Sequence, residues 1–121
     1  MMPALKRTDA FEHSAKKTLK PYPLSRKAID VAIEDICKNP NVGDVYPGFS
    51  PAMRKIRFPL KEYKIGKSGG MRLIFTVTPK FLVPILLYFK GQFSHEHDVQ
   101  ETLKVQMKTI IHEIREQEKS T

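Results

Sequence analysis

The chain has 121 residues, enough for one hydrophobic core in a single domain, 1–121. Its 21 lysines and arginines outnumber 13 aspartates and glutamates, a formal charge of +8, which points to a phosphate-bearing partner rather than a plain soluble surface. One cysteine, Cys37, excludes an internal disulfide.

Residues 1–9 lack an apolar signal core and are expected to fray. Asp9 is positioned to cap a helix with Phe11, Ala15 and Leu19 on one stripe, ended by Pro21 and Pro23. Ser25 then caps a second helix over 26–38, whose Ile29, Ala32, Ile33, Ile36 and Cys37 recur at helical spacing. The two make a helical hairpin with Lys16, Lys17 and Lys20 outside. Cys37 lies in this pattern and reads as a small buried hydrophobe. Residues 39–51 form a turn-rich connection with enough apolar content to pack across a sheet.

Period-two patterning then predicts three strands. Residues 54–58 set Ile56 and Phe58 against Lys55 and Arg57, and residues 71–78 set Leu73, Phe75 and Val77 against Arg72, Ile74 and Thr76. Residues 81–90 place Leu86, Tyr88 and Lys90 opposite Leu87 and Phe89. Pro84 cannot donate to a ladder, so a bulge or an unpaired side is expected there. The 81–89 run is too short to span a bilayer as a helix, so a soluble cytoplasmic protein without a membrane partner is expected. Ser94 is the expected cap of a last helix, with Glu96 near its positive end. Val99, Leu103, Met107, Ile110 and Ile114 form its apolar stripe, and the tail from Gln117 should fray. The class is α+β: an N-terminal helical hairpin, a twisted antiparallel sheet of three to four strands and a C-terminal helix.

Antiparallel pairing of the three strands gathers Lys55, Arg57, Arg72, Tyr88 and Lys90 on one surface. Arginine's planar fork suits phosphate, although a structural ion pair is the alternative for Arg72. Lys61, Lys64 and Lys67 precede it in a basic loop able to hold a nucleic-acid backbone, or simply to stay solvated. Tyr88 can stack on a base or bond a phosphate, or close the sheet's edge. Gly66-Lys67-Ser68 is not a phosphate-binding P-loop, because Lys61 stands where the first glycine belongs and a strand follows it. His95 and His97 flank Glu96 at a spacing that diverges on a helix, so no metal site is expected. His95 remains a candidate acid or base near neutral pH, or a polar residue of the capping turn. No nucleophilic triad or paired carboxylate is evident.

The run Asn39-Pro to Gly43-Asp-Val-Tyr-Pro-Gly48, then Arg54-Lys-Ile-Arg57, Gly66-Lys-Ser-Gly-Gly-Met-Arg-Leu-Ile-Phe75 and Leu86-Leu-Tyr-Phe-Lys90, resembles the RelE/HigB superfamily of toxin–antitoxin toxins. The likeness spans about residues 10–115 and rests on the order and spacing of these four motifs. It implies a RelE-like α+β fold and a ribosome-dependent mRNA endoribonuclease (an mRNA interferase) that inhibits translation. It also implies a cognate antitoxin as partner, with a homodimer or a toxin–antitoxin hetero-oligomer as the assembly. The family's strand-start arginine matches Arg72, and the basic residue ending the next strand matches Lys90. A loop lysine matches Lys61, Lys64 or Lys67, with Lys67 carried as catalytic. Many members have a late catalytic tyrosine; the segment 92–98 has none, which leaves Tyr88 or His95 for that role or a copy without the activity.

The implied chemistry needs neither metal nor cofactor: the ribose 2′-OH attacks the adjacent phosphate and a 2′,3′-cyclic phosphate forms. Arg72, helped by Arg57, offsets charge on the phosphate, while Lys55, Lys61 and Lys64 bind RNA and Lys90 or a loop lysine orients it or moves a proton. The competing readings are a non-catalytic RNA- or ribosome-binding module, and an interaction protein that holds a partner's strand or helix.

Overall fold

A computed structural model describes residues 3–49 and 53–120. The fraying expected at 1, 2 and 121, and residues 50 and 51 of the turn-rich connection, lie outside the described residues. The fold is α+β, with three helices and a mixed five-stranded sheet in the order β1-β5-β4-β3-β2. The strands are β1 (Ala4–Leu5), β2 (Asp44–Tyr46), β3 (Met53–Phe58), β4 (Met71–Val77) and β5 (Phe81–Phe89). The helices are α1 (Asp9–Thr18), α2 (Arg26–Lys38) and α3 (Glu96–Lys119).

Two strands go beyond the sequence expectation. β1 lies in the stretch expected to fray and pairs parallel with β5, through Ala4 N–H to Lys80 O at 2.8 Å and Lys6 N–H to Leu82 O at 2.9 Å. β2 lies in the turn-rich connection and closes the other edge. Its entry is fixed by Arg54, whose guanidinium donates to the carbonyls of Asn41, Val42 and Gly43 at 2.7–2.9 Å. Gly43 takes φ +78, and a Cβ there would fall 2.3 Å from Lys55 O, so both conformation and space demand glycine.

The helix caps also differ. Thr8, not Asp9, caps α1, its Oγ1 accepting from Phe11 N–H at 3.1 Å. The Asp9 and Ala10 amides donate instead to the Glu113 carboxylate of α3 at 2.7 and 2.9 Å, so an anion satisfies the free donors of the first turn. Ser25 precedes α2 but makes no capping bond; it is fully buried, with no hydrogen-bond partner for Oγ among the described residues. His95 rather than Ser94 occupies the cap position of α3, and α3 continues past Gln117 to Lys119.

The expected stripes bury as the spacing requires. Phe11 and Ala15 of α1 with Leu19 just past its end, Ile29, Ala32, Ile33 and Ile36 of α2, and Val99, Leu103 and Ile110 of α3 share one core with β3, β4 and β5, while Cys37, Met107 and Ile114 of the same stripes pack against it only partly buried. Each fully buried large side chain contributes about 1.5–3 kcal/mol. Cys37 is half-buried, its thiol pushed up by burial and then by Glu34. α3 lies on one face of the sheet, over Thr76, Val83 and Ile85. α2 lies on the other, where Ala32 and Ile36 line a groove with Ile56 and Phe58. The ladder between β4 and β5 shifts where Pro84 stands: Phe75 pairs with Pro84 but Ile74 with Leu86, so Ile85 is the extra residue of a bulge. No described helix is long and apolar enough to cross a membrane.

Candidate anion-binding site on the sheet

The register sets Arg57 directly across from Arg72, and Arg72 directly across from Tyr88. Directly opposed residues on antiparallel strands point to the same face, so the three form a row across β3, β4 and β5. This is the face that α3 covers further along the sheet.

Arg72 is held by its own loop. Its Nη1 donates to Gly70 O at 2.9 Å and its Nη2 to Ser68 O at 3.1 Å. Gly70 O also accepts Lys90 N–H at 3.2 Å, which ties the end of β5 to the same loop. Gly70 permits this because its α-carbon runs close to Phe58 O, which an added Cβ would meet at 2.3 Å. Burial lowers the Arg72 pKa, Arg57 lowers it further, and Tyr88 opposes them. Neither Arg57 nor Arg72 forms an ion pair with a carboxylate among the described residues. Two like charges face each other with no carboxylate in ion-pair contact among the described residues, which disfavours the apo protein and favours a bound anion.

Tyr88 is only 6% exposed, and Phe93 meets its ring edge-on with centroids 5.7 Å apart. No open ring face remains for a base, which corrects the stacking role expected for it; its hydroxyl is what it can contribute. Burial raises the phenol to about 12, with Glu96 adding to the rise and Arg72 and Arg57 opposing it. It is therefore a protonated donor at neutral pH.

Tyr46 is a member of this site that the sequence reading missed. It is buried at the end of β2, donates to Glu96 Oε1 and carries Lys55 Nζ 5.6 Å over its ring. Burial, then the bond to Glu96, holds its phenol well above the ordinary range. The available signal was the alternating Asp-Val-Tyr after Gly43. Glu96, noted in the sequence only as a charge at a helix end, thus joins α3 to the row.

The remaining candidates are exposed. Lys67 lines the groove at the β3 edge with Lys55 and Arg57, whereas Lys61 lines its neighbour beside Lys27, Pro59 and Glu62. Lys64 is exposed, in a left-handed turn at φ 57. Lys90 is exposed just past β5. His95 is exposed, and no hydrogen bond or ion pair joins its ring to Arg72 or Tyr88 among the described residues. Among those residues no group of three or more His, Cys, Asp or Glu gathers to hold a metal ion. The short turn Lys67–Gly69 leads into strand β4, not into a helix. No family model matches the chain, and no curated protein matches it either.

Proposed function

We propose that the chain is the toxin of a toxin–antitoxin pair, a metal-independent endoribonuclease that cuts mRNA on the ribosome and so stops translation in the cytoplasm. The observation that carries this reading is the unneutralised Arg57–Arg72 pair beside the protonated Tyr88 phenol. Cations that accept mutual repulsion in place of a carboxylate are suited to a phosphate whose charge grows in the transition state. Arg72 and Arg57 take the non-bridging oxygens, Lys55 and Lys67 hold the RNA backbone, Lys90 orients it, and the Tyr88 hydroxyl lies on the leaving side. A small antitoxin is the partner that keeps the site idle.

One observation favours a second reading. The deep burial of Tyr88 suits a module that binds RNA or ribosomes without cutting. Inducible expression with mapping of mRNA ends decides between them. Wild-type protein is expected to arrest growth and leave new mRNA ends, and Arg72→Ala to lose both by 100-fold or more, the scale of one lost transition-state donor. Ribosome binding without any new mRNA ends would install the second reading, and undiminished cleavage by Arg72→Ala would sink the site assignment.

A further inference from the structure

The row of cations and phenol has an acid-base complement on α3. Glu96 accepts the Tyr46 hydroxyl on Oε1, and its charge reaches the phenols of both Tyr46 and Tyr88. Lys55, which lies over the Tyr46 ring, is two residues from Arg57 on β3, and Arg57 stands in register with Arg72 and Tyr88, so groups from α3, β3, β4 and β5 meet on one face. One carboxylate oxygen is held by Tyr46, which fixes the group's aim, while the residue remains exposed and reachable by substrate. The Tyr46 ring is in turn fixed by burial at the end of β2 and by Phe49, 5.7 Å away. This is a base on a rigid mount beside an anion site.

We propose that Glu96 is the general base of the reaction and Tyr46 its positioning residue; this rests on the endoribonuclease reading above. The Glu96 carboxylate takes the proton of the ribose 2′-OH as the 2′-oxygen bonds to phosphorus. The bond from phosphorus to the 5′-oxygen breaks, and that oxygen leaves with the proton of Tyr88. The products are a 2′,3′-cyclic phosphate and a 5′-hydroxyl. The proton on Glu96 then passes through water to the Tyr88 phenolate, which restores both groups. Histidine is not needed for either transfer.

The test is cleavage of a translated mRNA by purified wild type, Arg72→Ala, Glu96→Gln, Glu96→Asp and Tyr46→Phe, read as kcat, KM and pH profile. Glutamine can still accept the Tyr46 hydrogen bond but cannot take a proton. Glu96→Gln is expected to lose kcat by about 100-fold or more at unchanged KM, and to lose the acidic limb of the profile. Glu96→Asp keeps that limb at a reduced rate, and separates lost chemistry from lost folding. Tyr46→Phe is expected to lower kcat severalfold while KM stays. If Arg72→Ala is dead but Glu96→Gln cuts at the wild-type rate with its acidic limb intact, the Glu96 assignment falls alone. If wild type never cuts, both readings fall together.

Discussion

Replacing Arg57 with methionine should make the protein more stable. Methionine keeps an apolar stem of similar reach while removing the charge opposite Arg72. Directly opposed side chains start about 5 Å apart. Arg57 is exposed and Arg72 half-buried, so an effective dielectric of about 40–80 applies, and two unit charges then repel by roughly 0.8–1.7 kcal/mol. Splayed guanidinium ends and salt reduce this, with a screening length of about 8 Å at physiological ionic strength roughly halving it. The expected gain for Arg57→Met is therefore about 0.4–0.9 kcal/mol at physiological ionic strength, a rise in Tm of about 2–5 °C, and larger at low salt. It should shrink steadily with added chloride. Urea unfolding of both proteins at 20 mM and 500 mM chloride measures it. A parallel series at matched ionic strength with inorganic phosphate should stabilise wild type more than the variant, because only wild type keeps the full anion site. A variant that is less stable at low salt, or a gain indifferent to salt, would refute the idea that the pair is held together at a cost.

Two further outcomes follow from buried groups. Ser25→Ala should raise stability by about 1 kcal/mol in urea unfolding, since it deletes a buried hydroxyl without a partner; a loss of that size would mean the hydroxyl caps α2 after all. Folding lifts the Tyr88 phenol from its ordinary 10 to about 12, so its share of stability is complete below pH 10 and drains away as pH rises through 12. Unfolding followed from pH 9 to 12 should show a steeper alkaline fall for wild type than for Tyr88→Phe, and equal slopes would contradict the assigned environment.

The long periodic segments were legible because burial imposes their periods. The α2 stripe, the α3 stripe and the apolar side of β3 each sit against the core, whereas β4 is buried on both faces, Ile74 and Thr76 included, because α3 covers the side the alternation left open. The shared surface of Arg57, Arg72 and Tyr88 was legible from alternation within each strand, while the phase that sets Tyr88 against Arg72 comes from the ladder shift between Ile74 and Phe75. What escaped the sequence depends on partners far along the chain. β1 and β2 are too short to carry a period, and they exist because β5 and β3 offer edges to them. Thr8 outcompetes Asp9 as a cap because Glu113, more than a hundred residues later, meets the Asp9 amide. Tyr46 entered the site for a similar reason: its value lies in reaching Glu96 on α3, a contact no local pattern encodes.

The backbone N–H that Pro84 lacks marks the irregularity that decides which side chain greets Arg72. With Thr76 opposite Val83 and Phe75 opposite Pro84, an uninterrupted ladder would bring Leu87 to Arg72 and turn Tyr88 away to the side where α2 lies. The spare residue Ile85 absorbs one step, and the count resumes with Leu86 against Ile74. A hydrocarbon would otherwise stand where a phenol now does. The chemistry of that corner is thus geared to an irregularity several residues upstream, and a change at Pro84 that let the ladder run true would disarm the site without altering any residue in it.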